Sequence, residues 1–293
     1  MTSSPQLGTL FVVATPLGNL EDFSVRAART LSEVSVIAAE DTRQTRKLLA
    51  RNGISTPLRS LHGHSRAGAV TGLVSLLREG QSVAYVSDAG SPGLSDPGAE
   101  LVAAAREAGV RVVPIPGPSA PAAAFSVAGM AAAGFVFAGY PPRAVGERRE
   151  FLQRWTATEL PLVLFEAPHR IRETLTALAD LVPERQVVIC REMTKQFEQI
   201  VAAPAKDAAG LLSEEQVRGE FTLVVEGEGA VRTANRNSPS RALQGEAEVA
   251  EAVTLLAAAG VPRKTVAQVL QLLAGMSRND AYRASVEEDE SRP

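Results

Sequence analysis

The sequence predicts an α/β protein of two α/β domains, followed by a small C-terminal helical unit of helix-turn-helix character. Three observations predict it. Short apolar, β-branched runs alternate with helix-compatible stretches through the first half. Glycine- and proline-rich segments follow the predicted strands, where an α/β sheet holds its ligands. A polar stretch over 231–240, with Asn235, Asn237 and Pro239, has the make-up of a linker. At 293 residues the chain exceeds one small core, and the expected divisions are 1–118, 119–231 and 232–293.

Strands are expected at 9–14, 34–38, 83–86 and 110–115. The helix after the third has Asp96 as N-cap, Pro97 at its first position and Gly109 as its stop. Strands then become denser, at 135–140, 162–166, 186–190 and 220–225, with a helix over 171–181, so the second sheet should be more mixed. Residues 116–140 carry no charge and are numerous enough to span a bilayer. Pro118, Pro121, Gly129 and Gly134 interrupt them, so they read instead as a buried helix followed by a buried strand. Beyond the linker, 241–259, 262–274 and 277–286 read as short helices, broken at Gly260 and Gly275 and started by Pro262 and Ser277. The acidic run 287–290 is a solvated tail.

Composition bounds the function. Apolar residues make up 45% and charged residues 22%, as in soluble globular proteins. A net charge of -3 excludes a generally basic field, so any RNA contact must use local patches. The lone Cys190 can neither pair within the chain nor build a thiolate metal site, which fits a reducing cytoplasm. The apolar stretch at 10–14 is too short for a signal core and lacks a basic region before it, so export is not expected.

Five segments carry the chemistry: VATPLGNLED (13–22), VSDAGSPGLSDPG (86–98), PIPGPSA (114–120), FVFAGYPPR (135–143) and GEFTLVVEG (219–227). Any one alone would be an ordinary turn. Together they supply glycines that let a ligand approach the backbone and prolines that fix loop shape. Neither G-x-x-x-x-G-K-[ST] nor G-x-G-x-x-G occurs, so nucleoside triphosphate and NAD lose their usual support.

ATPLGNLED, AAEDTR followed by TRKLL, SDAGSPGLSDPG, PGPSA, FEAPHR and REMTKQFE, in that order over roughly 10–227, resemble the ribosomal RNA small subunit methyltransferase I family. The resemblance implies a tetrapyrrole-methylase fold, S-adenosylmethionine held between two α/β domains, a homodimer, and no metal or membrane. It implies cytoplasmic 2'-O-methylation of a cytidine in the decoding region of 16S rRNA, with the small ribosomal subunit as partner. Carried over by position, Gly90, Ser91, Pro92 and Leu94 would meet the methionine end of the cofactor, and Ser119 and Ala120 would add backbone contacts. Pro16 and Leu17 would lie on the first loop, with Glu166, Thr222 and Leu223 approaching from the second domain. Ser91 stands where members often have threonine; Gly63 and Ser65, in LHGHS, stand where an acidic residue and asparagine are common, which leaves a substrate role for that loop open.

A ribose hydroxyl needs its proton accepted, and Glu40 and Asp41, just past the second strand, are the candidate bases. The alternative is that Asp41 or Thr42 caps the following helix while Glu40 joins a salt bridge. Histidine is a suitable type of base, which adds His64 and His169 as candidates, although His169 reads better as ordering its turn. For RNA phosphates the candidates are Arg43, with Arg46, Lys47 and Arg51 on the same helix, and Arg143, Arg148, Arg149 and Arg154. Lys195, with Glu192 in REMTK, would border the cofactor or the RNA, or form an exposed ion pair. Arg263, Lys264, Arg278, Tyr282 and Arg283 would dock rRNA or serve helix packing. Two other functions stay open: a methyltransferase of the same fold acting on a tetrapyrrole or a modified histidine, and a non-catalytic RNA-binding assembly factor. Those tetrapyrrole and histidine enzymes usually show G-D-P where Gly90, Ser91 and Pro92 stand.

Overall fold

In the first 115 residues the strand runs lack polar alternation because a parallel sheet is covered on both faces. A computed structural model describes residues 6–61, 66–94, 98–228, 249, 253–254, 256, 261–274 and 277–285. The first sheet comprises β1 (Thr9–Val13), β2 (Val36–Ala39), β3 (Leu58–Ser60), β4 (Val83–Val86) and β5 (Arg111–Ile115), all parallel, in the order β3-β2-β4-β1-β5. Helices α1 (Val25–Glu33), α2 (Thr42–Arg51), α3 (Arg66–Arg78) and α4 (Gly98–Glu107) connect them.

Right-handed crossovers send connections running in opposite directions along the sheet to opposite faces. Ala27, Leu31 and Leu49 of α1 and α2 therefore pack with Ile37, Ala84 and Val86, while Leu73, Leu77, Leu101 and Ala105 of α3 and α4 pack with Ala38, Val83 and Tyr85. Strand β4 thus lies between β1 and β2, whose helices leave on the face opposite to its own. That divergence opens a crevice at the carboxyl ends of these strands.

The second sheet is mixed, as expected. It comprises β6 (Val136–Gly139), β7 (Leu162–Glu166), β8 (Gln186–Arg191), β9 (Gln199–Pro204) and β10 (Phe221–Val225) in the order β6-β7-β10-β8-β9. Only β6 and β7 run parallel, and β10 is antiparallel to both its neighbours. One face carries Leu164, Ile189 and Leu223 against α6 (Val145–Thr156), α7 (Ile171–Leu181) and α8 (Ala205–Ala208). The other carries Val163, Val188 and Val224 against Ala124 of α5 (Ala120–Val127).

The 116–140 segment folds as α5 and β6, but neither is fully buried: α5 buries only Pro121 and Ala124 and leaves Val127 exposed, and β6 is half-buried because it is an edge strand. At eight residues α5 is far below spanning length, and among the described residues no helix is long and apolar enough to cross a membrane. Gly109, at φ 73°, closes α4 as expected, while the proposed cap Asp96 and Pro97 lie outside the described residues. The sequence reading missed β3, only three residues long, and β9, where Ala202, Ala203 and Pro204 dilute the β-branched signal. Both are edge strands, each carried by one neighbour.

Residues 228–293 form a separate unit. It contains α9 (Arg263–Ala274) and α10 (Arg278–Ala284) around Val253, Val266, Leu270 and Ala281. Ser277 caps α10 as predicted, its hydroxyl accepting from the Asp280 N–H at 3.2 Å. Of the helix expected over 241–259, residues 249, 253, 254 and 256 are described and helical. The linker 231–240 and the acidic run 287–290 lie outside the described residues.

Candidate functional site

The loops after β1 and β4 are tied at their roots by a two-residue bridge, Thr15 N–H to Gly90 O and Gly90 N–H to Thr15 O, both 3.0 Å. Gly90 sits at φ 77°, and a Cβ there would lie 3.1 Å from Leu17 Cδ2 and 3.6 Å from the Pro118 carbonyl. The Ser91 hydroxyl donates to that same carbonyl at 2.9 Å, drawing the loop after β5 alongside. Three glycine- and proline-rich loops thus converge on one place through backbone contacts.

Above them lies a cavity of about 380 Å³, within the usual range for small-molecule sites. Leu17, Glu40, Asp88, Leu94 and Ala120 line it from the first half, and Tyr140, Phe165, Glu166, Ala167 and Thr222 from the second. The Tyr140 and Phe165 rings stand 5.5 Å apart in its wall. A second cavity of about 460 Å³ lies on the α2 side, lined by Pro16, Leu17, Gly18, Gln44, Lys47 and Arg51 among others. Leu17, Asp88, Ala89 and Glu220 belong to both, so the cavities share a wall.

The carboxylates divide by commitment. Glu166 is buried and saturated: Oε1 accepts from the Ala167 N–H at 2.7 Å and lies 2.6 Å from the Arg170 guanidinium, and Oε2 accepts from the Thr174 hydroxyl at 2.5 Å. Asp41 is the N-cap of α2, accepting from the Arg43 N–H at 2.8 Å and pairing with the Arg43 guanidinium at 2.8 Å. Its capping role, held open above, is realised. The Arg43 side-chain bond, with the Arg43 backbone N–H, holds the Asp41 pKa down to about 2. A carboxylate so stabilised is a poor base, and neither cavity is lined by it. Glu40 lines the first cavity, Asp88 both.

Asp41 gives a pH prediction. Its folded pKa lies below the ordinary aspartate value of about 3.9, so its stabilisation is complete above that value and is lost as pH falls toward about 2. The difference in thermal midpoint between wild type and Asp41→Asn should therefore stay constant from neutral pH down to about 5 and close between about 4 and 2. A difference that persists at the acid end would contradict the ion-pair origin of the shift.

Lys195 locks the two halves together. Its Nζ lies 2.9 Å from both Glu192 Oε1 and Glu220 Oε2. Its stem covers Gly18, where a Cβ would fall 2.3 Å from Lys195 Cγ, and the Thr194 hydroxyl accepts from the Asn19 N–H at 3.2 Å. Burial lowers the Lys195 pKa, but bonds to Glu220 and Glu192 outweigh it and hold the ammonium above its ordinary value. Glu192 and Thr194 are held in the left-handed region, at φ 50° and 67°, costing about 1–3 kcal/mol each. Glu192 is fixed there because its N–H donates to Glu220 O and its Oε1 accepts from Glu220 N–H, both at 2.9 Å. The ion-pair alternative for Lys195 is thus realised, and a phosphate would have to compete with two carboxylates.

Several expected residues lie elsewhere. Arg148 was a candidate for RNA phosphates; it is 3% exposed, with its guanidinium 2.6 Å from Glu173 Oε2, and is a structural residue of α6. Arg143 and Arg149 are exposed, the latter 3.7 Å from Asp180, and Arg154 lies over the Trp155 ring. Leu223 packs in the core, because strand alternation turns its neighbour Thr222 to the cavity. Pro16 is buried beside Leu17 on the α2-side cavity, Pro92 is half-buried next to Ser91, and Ser119 precedes α5 without a side-chain capping bond. His169 is exposed in the 3-10 turn Pro168–Arg170. His64 and the rest of 62–65 lie outside the described residues, as does the side chain of Arg278. Lys264, Tyr282 and Arg283 are exposed on the C-terminal unit. Among the described residues no cluster of three metal-ligating side chains occurs. Asp88, Glu220, Tyr140 and Phe165 line the site without having been singled out, although all four fall inside quoted motifs.

Residues 9–209 match the family Tetrapyrrole (Corrin/Porphyrin) Methylases. The chain is 45% identical over 222 residues to the ribosomal RNA small subunit methyltransferase I of Halalkalibacterium halodurans, covering 76% of this chain and 77% of that one. It is 40% identical over 282 residues to the protein of the same name from Synechocystis sp., covering 96% and 98%. Among solved structures, the uroporphyrin-III C-methyl transferase of Thermus thermophilus complexed with S-adenyl homocysteine matches at TM-score 0.53, with 21% identity over 77% of this chain and 100% of that one. Diphthine synthase matches at TM-score 0.57 with 14% identity, covering 75% and 90%. At such identities these two show the shared fold.

Proposed function

Given that the chain belongs to the ribosomal RNA small subunit methyltransferase I family of tetrapyrrole methylases, we propose that it methylates a ribose 2'-hydroxyl of 16S rRNA, at a cytidine of the decoding region, with S-adenosylmethionine as donor. The observation that carries the reading is the pair of adjoining cavities meeting at Leu17, Asp88, Ala89 and Glu220. A two-substrate transfer needs two ligands held in contact, and holding them so supplies much of the rate.

The first cavity fits the donor. Ser87, Asp88 and Ala89 after β4 and Ala120 after β5 line it, a side chain at neighbouring Gly90 would intrude on its lining residue Leu17, and its walls are apolar at Leu94, Tyr140 and Phe165. Glu40 supplies an acceptor for ribose hydroxyls or an amino group. When bound, the donor supplies an electrophilic methyl carbon on a sulfonium. Gly90, Ser91, Pro92 and Leu94 hold its amino-acid end on this reading, with Ser119, Ala120 and Leu17 around it, while Pro16 lines the α2-side cavity. Thr222 and the backbone of Glu166 close the second side. Glu166 itself braces Arg170 and Thr174 rather than offering a lone pair. Exposed Arg43, Arg143 and Arg149 provide the basic surface for phosphates.

The reading extends to a homodimer acting on the small subunit in the cytoplasm, with residues 1–118 and 119–231 as the two cleft-forming domains. Its test is transfer of tritiated methyl from S-adenosylmethionine to small subunits from a strain lacking the endogenous enzyme, with nuclease digestion to locate the label. Label in a 2'-O-methylcytidine of 16S rRNA is the expected result. Bound donor without transfer would make the protein a non-catalytic assembly factor, and label on a tetrapyrrole or a modified histidine would replace the substrate.

A further inference from the structure

We infer that the cavity beside α2 receives the target nucleotide and that Asp88, on the wall shared with the donor cavity, accepts the proton of the hydroxyl that is methylated. The assignment rests on the methyltransferase reading above and goes beyond it in naming the acceptor subsite and the base.

Elimination among the carboxylates leads to Asp88. A base must reach both ligands, and only Asp88 and Glu220, among the described carboxylates, line both cavities. Glu220 carries the Lys195 ammonium at 2.9 Å, whereas Asp88 has no ion-pair partner at contact distance among the described residues. Asp88 is also oriented: its Oδ1 accepts from the Asp41 backbone N–H at 2.9 Å, fixing the plane of the carboxylate. Asp41, one of the bases expected from sequence, thus serves through its main chain while its side chain caps α2.

The far wall of this cavity supplies the cations. Lys47 and Arg51, one turn apart on α2, both line it and both are exposed, while Gln44 offers an amide to a base edge or a sugar. Among the described residues Lys47 is held only by a long 3.4 Å contact to Gln44. A nucleotide whose phosphates meet Lys47 and Arg51 presents its sugar to the inner wall, where Leu17 and Asp88 stand. There the oxygen–carbon bond forms as the carbon–sulfur bond of the sulfonium breaks. The electron pair of that bond leaves on sulfur as a neutral thioether, and the hydroxyl proton passes to the Asp88 carboxylate and then to solvent.

Asp88→Asn tests the base, because the asparagine carbonyl still accepts from Asp41 N–H. Donor affinity by calorimetry should stay within about twofold and the melting temperature should be unchanged, while single-turnover transfer to small subunits falls roughly 100-fold or more. Asp88→Glu, which restores a carboxylate, should recover part of the lost rate. Transfer by Asp88→Asn within threefold of wild type, or no recovery in a folded Asp88→Glu, would overturn the assignment. For the subsite, Lys47→Ala with Arg51→Ala should weaken binding to small subunits and make its salt dependence shallower by about 1.4 in log–log slope, leaving donor affinity untouched. An unchanged slope would overturn the placement. If wild type binds the subunit but transfers nothing, the methyltransferase reading falls, and the role of Asp88 falls with it; the subsite is judged by the slope alone.

Discussion

Replacing Gly90 by valine should lower affinity for S-adenosylmethionine by roughly 100-fold or more, about 2.7 kcal/mol, measured by calorimetry on the purified chain. Two costs combine. The residue occupies φ 77°, a region that β-branched side chains adopt only with strain of about 1–3 kcal/mol. Its Cβ would also stand 3.1 Å from Leu17 Cδ2, pushing that side chain into the wall between the two cavities. Because Gly90 is paired to Thr15 through two 3.0 Å bonds, relief of the strain would open the bridge that sets the loop's height. The variant should therefore also melt a few degrees lower, which sequence alone did not anticipate. Wild-type affinity in a folded variant would remove the donor from this loop.

The second large effect falls where the sequence reading expected an RNA contact. Arg148→Glu should destabilise the protein by about 3–5 kcal/mol, because it buries a carboxylate 3% exposed beside Glu173 in place of a matched ion pair. For a body of this size the melting temperature should drop by roughly 10 °C. Arg149→Glu should change stability by no more than about 0.5 kcal/mol, since both it and Asp180 are exposed. Arg148→Met separates charge from volume and should fall between the two. Equal melting temperatures for the two glutamate variants would refute the distinction.

The comparison shows which features a sequence carries openly. Strands such as β4, β7 and helix α7 were legible because their apolar runs end at clear breaks and both faces, or one stripe, are buried. The site loops were legible because glycine and proline at strand ends have a purpose that single turns do not. What could not be read is pairing at a distance. Arg148 and Arg149 are adjacent letters with equal charge, and only the packing of α6 against α7 buries one and exposes the other. Asp88 stands within a quoted motif, yet its place on a shared wall depends on Gln44 of α2 and on Glu220 just before β10, both distant in sequence. Leu223 and Thr222 differ in role by the pleat alone.

The place of β10 bears on how the molecule is made. It is the final strand of its sheet in chain order but sits at the centre, so until residues 221–225 leave the ribosome both β7 and β8 expose open edges. Synthesis at about 5–20 residues per second leaves those edges waiting while the first sheet, complete by Ile115, is already free to fold. Newly made chains cut short before Phe221 would thus present sticky, half-built sheets, and nascent protein acquires its binding capacity in the last moments of that domain's emergence.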